Sequence, residues 1–322
     1  MKNDYIYAVA RIRVLEMALL SRQDLEQLMG AADLSQALQR LKELGWGGDA
    51  REPEEILRIE EDKIWRCMEE ILTDPSDLDP LKYPNDYHNV KAAVKLCCTG
   101  TSLPPERFLV RGGTIPWEQV LACVRESDYE GLPKDMARAA REGYETLLHT
   151  GDGQLSDAIV DRHFLEAFYH QCKNSPDEVL RKYGTAFVVF ANLRIAMRSC
   201  ATGRPLSFLE HALAPIKELD RDTLAYAAVG GLDQIADYVE HTSFSSGAQA
   251  IKTSPAAFEK WCSDAIMDII RPEKFNPSTA GPLIAYVLAR ENEIKYVRLI
   301  LSVKQNGLPQ DLIRERLGDM YV

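Results

Sequence analysis

Long apolar runs are missing from this chain of 322 residues. No window offers the roughly 18 uncharged apolar residues that a membrane-spanning helix needs. In the stretch Met1 to Leu20, Asp4, Arg11, Arg13 and Glu16 interrupt the apolar residues, which argues against a signal peptide as well as a span. A basic excess is missing too: 38 Lys plus Arg stand against 49 Asp plus Glu, a formal net charge of −11. Proteins that neutralise phosphates show the opposite balance, so no nucleic acid is expected as a partner. The same acidity opposes adsorption to anionic lipid heads. No direct lipid insertion is expected, and membrane association should run through another protein. Seven cysteines, irregularly spaced (Cys67, Cys97, Cys98, Cys123, Cys172, Cys200, Cys262), are an odd count for a disulfide framework. Reduced thiols in a cytoplasmic protein are the simplest reading.

Catalytic signatures are equally scarce. There is no Gly-x-x-x-x-Gly-Lys-Ser/Thr loop, no Gly-x-Gly-x-x-Gly turn after a strand, and no His-Glu-x-x-His helix. The nearest glycine cluster, Arg111-Gly112-Gly113-Thr114, reads as a loop rather than an anion cradle. His163 and His170 lie seven apart on one expected helix, with Asp157 and Asp161 close by. A metal site needs three or four convergent ligands, so these histidines are read as surface or core-edge residues. The vicinal Cys97-Cys98 pair is read as two small buried hydrophobes. Glu60-Glu61-Asp62 reads as a solvated helix face. No catalytic residue, cofactor or metal is expected.

What the chain does hold is helix. Apolar residues make up 46% and charged residues 27%, the balance of a globular protein. Ala, Leu, Glu, Arg and Lys dominate most segments, and alternating β-branched runs are hard to find. Ile6, Val9, Ile12, Met17 and Leu20 suggest an apolar stripe. Ser21 with Asp24 has the form of a capping start for a short helix to Gly30, and Asp33 opens another that Gly45 closes. Pro53-Glu54-Glu55 makes a favourable first turn, because the proline lacks a donor that would be orphaned there and the acids suit the positive helix end. That helix should run to about Asp74-Pro75, and a polar loop should then reach Pro84. The expectation is an all-α chain.

One pattern recurs three times. Its copies run from Asn89 to Gly100, from Asn192 to Gly203 and from Tyr296 to Gly307, starting 103 and 104 residues apart. Val90, Leu193 and Val297 share one position, and Val94, Met197 and Leu301 lie one helical turn on. Ala93, Ala196 and Ile300 widen that face. Lys91, Arg194 and Arg298 share a basic position; pairing with acids on a neighbouring helix and lining an inner surface that meets a partner are both open readings. Gly100, Gly203 and Gly307 stand where a left-handed helix stop is needed. Tyr296 replaces the asparagine of the first two copies, and Ser302 replaces their second basic residue. Each copy follows a looser helical stretch (Leu38–Trp46, Val120–Tyr129, Ile235–Phe244) and an acid-rich helix (Glu55–Ile71, Ser156–Tyr169, Pro255–Ile269). Three helical units are expected, at about 1–114, 115–215 and 216–322.

Three segments carry a resemblance to a known family. They are the opening Tyr5-Ile6-Tyr7-Ala8-Val9-Ala10-Arg11-Ile12-Arg13, the stretch Tyr83-Pro84-Asn85-Asp86-Tyr87-His88-Asn89-Val90-Lys91, and the closing helix through Glu291 to Leu301 with Lys304 and Asn306-Gly307-Leu308-Pro309. Together they resemble the C subunit of bacterial and archaeal V-type (A-type) ATP synthases, a relative of the d subunit of eukaryotic vacuolar ATPases. The resemblance spans the whole chain. It implies a funnel of three similar helical units with pseudo-three-fold symmetry and no active site, peripheral to the membrane on its cytoplasmic side. In that family the mouth receives the rotating shaft, made of the D and F subunits, and the base rests on the proteolipid ring. The resemblance thus implies a rotor connector that couples ATP chemistry to proton or sodium movement. A generic helical-repeat adaptor of another assembly and a helical metal-dependent hydrolase remain as alternatives.

Overall fold

The computed structural model describes residues 5–100 and 103–322. Asp4, one of the charges that break the N-terminal apolar stretch, lies outside them. The described residues are helical with no strand among them, so the chain is all-α. The helices run α1 (Tyr5–Glu16), α2 (Arg22–Gly30), α3 (Leu34–Glu43), α4 (Pro53–Ile71) and α5 (Tyr83–Thr99). Next come α6 (Trp117–Glu126), α7 (Lys134–Thr150), α8 (Gly153–Lys173), α9 (Glu178–Ala201) and α10 (Leu206–Ala212). The last six are α11 (Arg221–Gly230), α12 (Leu232–Glu240), α13 (Ala248–Thr253), α14 (Pro255–Ile270), α15 (Gly281–Gln305) and α16 (Asp311–Arg314).

Local chemistry accounts for most boundaries. Ser21 and Asp24 form a reciprocal capping box at the start of α2, each side chain taking the other residue's amide. Asp33, Asp152 and Ser254 cap α3, α8 and α14 in the same manner, accepting from the amides that a first turn leaves unpaired. Pro53 and Pro255 stand in the first turns of α4 and α14. Two expectations need correction. Residues Pro75–Lys82 are a 3-10 helix rather than an irregular loop, and α5 begins directly behind it with Pro84 in its first turn. Of the stripe expected on the first helix, Val9 and Ile12 are buried but Ile6 and Met17 are 70% and 86% exposed. The packed face of α1 runs through Ala8, Val9 and Ile12, which turns Ile6 outward with Ala10 and Val14.

The chain divides into two compact units. One takes in the described residues up to Asp77, Pro176–Lys182 and Thr253–Val322; the other takes in Leu78–Ser175 and Tyr183–Lys252. The boundaries expected near residues 114 and 215 both fall inside the second unit. In the first unit α15 is the axis. Buried residues cover it almost all round, from Gly281 to Val303, as expected of a helix apolar on every side. In the second unit α5, α6, α7 and α8 enclose a core of Val90, Val94, Val120, Val124, Met136 and Val160. Rings continue it: Phe164, Phe168 and Phe187 pack with centroids 4.8–5.9 Å apart. Gly143 on α7 is a close-approach point, since a Cβ there would meet a Val160 methyl at 2.6 Å.

Candidate functional site

The thrice-repeated helix is the feature that sets this chain apart. Its copies lie on α5, α9 and α15. Val90, Leu193 and Val297 are fully buried, as are Ala93 and Ala196, while Val94, Ile300, Leu301 and Met197 are nearly so. Gly100, Gly203 and Gly307 have φ of +60°, +63° and +63°, the left-handed region in which an L side chain is strained. After Gly203 the Arg204 amide reaches back to the Ser199 carbonyl, and after Gly307 the Leu308 amide reaches back to that of Val303. These are the bonds of a Schellman stop.

The first position of each copy is a clamp on the backbone. Asn89 donates from Nδ2 to the Val110 carbonyl at 2.9 Å and accepts from the Val110 amide at 2.8 Å. Asn192 repeats this on Ala214, donating to the carbonyl at 2.9 Å and accepting from the amide at 3.0 Å. An asparagine carboxamide carries one donor edge and one acceptor edge, so it can pair with the N–H and C=O of a single residue as a neighbouring antiparallel strand would. In the third copy Tyr296 reaches the equivalent residue with its hydroxyl, which accepts from the Gly318 amide at 2.9 Å. The targets lie 21, 22 and 22 residues beyond their clamps. The space beside Gly318 is filled by that hydroxyl, 2.7 Å from where a Cβ would stand.

The basic position has a more ordinary role where its contacts are defined. Lys91 pairs with Asp161 on α8 at 2.6 Å, half-buried. Arg298 pairs with Glu61 on α4 at 2.7 Å. In both copies the cation meets an acid on one of the acid-rich helices. Arg194 is exposed and makes interactions of its own. One turn on from Lys91, Lys95 pairs with Asp157 at 2.6 Å.

In the acidic run on α4, Glu61 and Asp62 are exposed as expected of a solvated face, but Glu60 is not. Glu60 is only 2% exposed and accepts from the Gly47 amide, the Lys63 ammonium and the Arg290 guanidinium, each at 2.7 Å. Arg290 also grips Glu293, which in turn accepts from the Leu20 amide, and its guanidinium lies over the Trp46 ring, 4.9 Å from the centroid. Burial raises the Glu293 carboxyl to about 7, against the opposing pull of Arg290 and the Leu20 amide. Three buried charges thus tie the α1–α2 junction and the α3–α4 turn to α15. Periodicity held the clue to Glu60, which falls on the buried stripe four residues after Ile56 and four before Ile64.

The remaining candidates do not converge into a catalytic centre. His163 is buried and hydrogen-bonded to Glu142 on α7, whereas His170 is exposed. Burial works to raise the Glu142 carboxyl, but the His163 hydrogen bond and the charges of His163 and Arg162 outweigh it and leave the group below its usual range. Among the described residues no group of three His, Cys, Asp or Glu side chains could hold a metal ion. Cys97 and Cys98 are half-buried rather than buried, and burial raises both thiols, which keeps them from acting as thiolates. All seven cysteines are free. The Arg111–Thr114 segment is a loop docked on α5: Thr114 donates to Asp86 at 2.7 Å, and Asn85 donates to the Arg111 and Gly112 carbonyls at 3.3 Å. No helix among the described residues is long and apolar enough to cross a membrane.

Comparison with known proteins agrees with the resemblance read from the sequence. The model of the ATP synthase (C/AC39) subunit family matches residues 8–316. The V-type ATP synthase C subunit of Thermus thermophilus is 26% identical over 98% of this chain and 99% of its own. The V-type sodium ATPase C subunit of Enterococcus hirae is 21% identical over 96% and 97%. The A-type ATP synthase C subunit of Pyrococcus furiosus is 21% identical over 98% and 90%.

Proposed function

This chain belongs to the family of ATP synthase (C/AC39) subunits, and from that membership we propose that it is the central-stalk rotor component of a V-type ATPase or ATP synthase. In this role it is not itself an enzyme. It couples the rotating shaft, made of the D and F subunits, to the proteolipid ring, and so couples ATP synthesis or hydrolysis to ion transport. It sits at the cytoplasmic face, peripheral to the membrane through the complex.

The observation that carries the reading is the full-length family match together with a thrice-repeated buried clamp. Clamp and target lie almost the same distance apart in each copy, as expected if 1–114, 115–215 and 216–322 are three related units of a funnel with pseudo-three-fold symmetry. Packed helical interiors are dense and poorly compressible, which suits a part that passes torque. Locking each repeat helix to its following segment adds stiffness where a loop would otherwise yield.

Affinity capture from native membranes tests the proposal. The tagged protein should bring down the D and F subunits and the proteolipid, and the purified protein alone should not hydrolyse ATP. Capture of other membrane proteins without shaft or proteolipid would replace the rotor reading with that of a helical-repeat adaptor.

A further inference from the structure

The second unit holds an open cleft of about 460 Å³ between α8 and α9, with Arg198, Arg204, Lys91, Asp157 and Asp161 on its walls. Its charges do not cancel. Asp161 is occupied by Lys91 and Asp157 by Lys95, each at 2.6 Å. Neither Arg198 nor Arg204 has a carboxylate partner among the described residues. Two arginines six residues apart, on either side of the left-handed turn at Gly203, line one cleft. The Arg204 guanidinium lies over the Phe208 ring, 5.0 Å from its centroid, and this stacking limits the freedom of its fork. In a chain of net charge −11, two unspent guanidinia in a concavity are a local reversal of sign.

The repeat sharpens the point. Lys95, Arg198 and Ser302 occupy the same position in the three copies. The first is neutralised by Asp157 and the third carries no charge, so among the described residues only the middle copy offers a free cation there.

We propose that this cleft receives a carboxylate-bearing segment of a partner protein, gripped by Arg198 and Arg204; the identity of that partner rests on the rotor reading above. Guanidinium forks match carboxylates in bidentate geometry. The half-buried apolar side chain of Ile195 on the same wall suits an aliphatic neighbour of an acidic residue. A phosphate is the poorer fit. Phosphate sites draw on free amides at a helix start, whereas Asp152 already takes the Gln154 and Leu155 amides at the start of α8, at 2.9 and 3.0 Å.

The test measures binding of the full-length protein to purified D and F shaft subunits and, separately, to proteolipid rings in detergent. The variants are R198E/R204E and the milder R198Q/R204Q, each first checked for an unchanged melting profile. The charge reversal should weaken binding to one of the two partners by on the order of tenfold or more at low salt, with a smaller loss for the glutamine pair and a gap that narrows as salt rises. Wild-type binding that both variants keep would overturn the inference while leaving the rotor reading intact. A wild type that binds neither partner would instead overturn the rotor reading and take this inference with it. Saturable binding of inorganic phosphate that is lost in the variants, with partner affinity unchanged, would make the cleft a phosphate site and refute the assignment to a protein segment.

Discussion

Around α8 the interior is largely a stack of rings and methyl groups with asparagine clamps that pair amide with amide, and Asp86 and His163 are its buried ionisable side chains among the described residues. Around α15 it is crossed by charge, with Glu60, Arg290 and Glu293 buried together and a tyrosine hydroxyl serving as the clamp. Two copies of one repeat helix sit in the first environment and the third copy in the second. The same backbone task therefore has two chemical solutions. A carboxamide satisfies both groups of its target peptide, while the phenol satisfies the amide alone. Buried ion networks add little net stability over apolar replacements, but they penalise any arrangement in which a partner is missing. The charged interior is thus the more demanding of register.

The largest expected effect separates the two directly. Arg290→Ala leaves Glu60 and Glu293 buried without their shared cation and should cost about 3–5 kcal/mol in urea unfolding. Replacing all three charges with apolar residues of similar volume should return most of that loss; failure to recover would mean that the network does more than balance itself. Next is a slope with pH. Glu293 titrates near 7 in the folded protein against an ordinary value near 4.5, so the folded state holds its proton more tightly. Its contribution is full below the ordinary value and is lost as pH rises through about 7. Glu293→Gln should flatten the fall in melting temperature across that window, and an unchanged slope would reject the assignment.

The clamps come third. Asn192→Ala strands both the amide and the carbonyl of Ala214 and should cost about 2–3 kcal/mol, whereas Tyr296→Phe strands the Gly318 amide and leaves its carbonyl untouched, and should cost about 1–2 kcal/mol. Equal losses would erase the distinction between the two clamp chemistries. Smallest of all is Lys91→Ala, which breaks a half-exposed ion pair and should change stability by less than about 1 kcal/mol.

Much of this was legible in the sequence, and the reason is local. Ser21, Asp33 and Pro53 act through their own turn, so the starts of α2, α3 and α4 could be read directly. The repeat was visible because its buried positions and its glycine recur together. The asparagine clamp could be seen as a recurring residue but not as a bond, because Val110 and Ala214 carry no mark of what holds them. Glu60 was misjudged because its neighbours Glu61 and Asp62 dominate the local pattern, whereas burial follows the helical turn from Ile56 to Ile64. The partnership of Glu60 with Arg290, 230 residues away, leaves no local trace at all. Neither does the grouping of the described residues up to Asp77 with those from Thr253 onward.

That grouping sets an order of events during synthesis. Leu20, Met29 and Glu60 are held by Glu293, Lys304 and Arg290, which leave the ribosome more than 200 residues later. The second unit has all its residues in hand once Lys252 has emerged, and it can fold while translation continues. Helices α1 to α4 must wait with their apolar faces uncovered until α15 arrives. Between the emergence of α4 and that of α15 those faces lack their main cover, and there a chaperone has the most to protect.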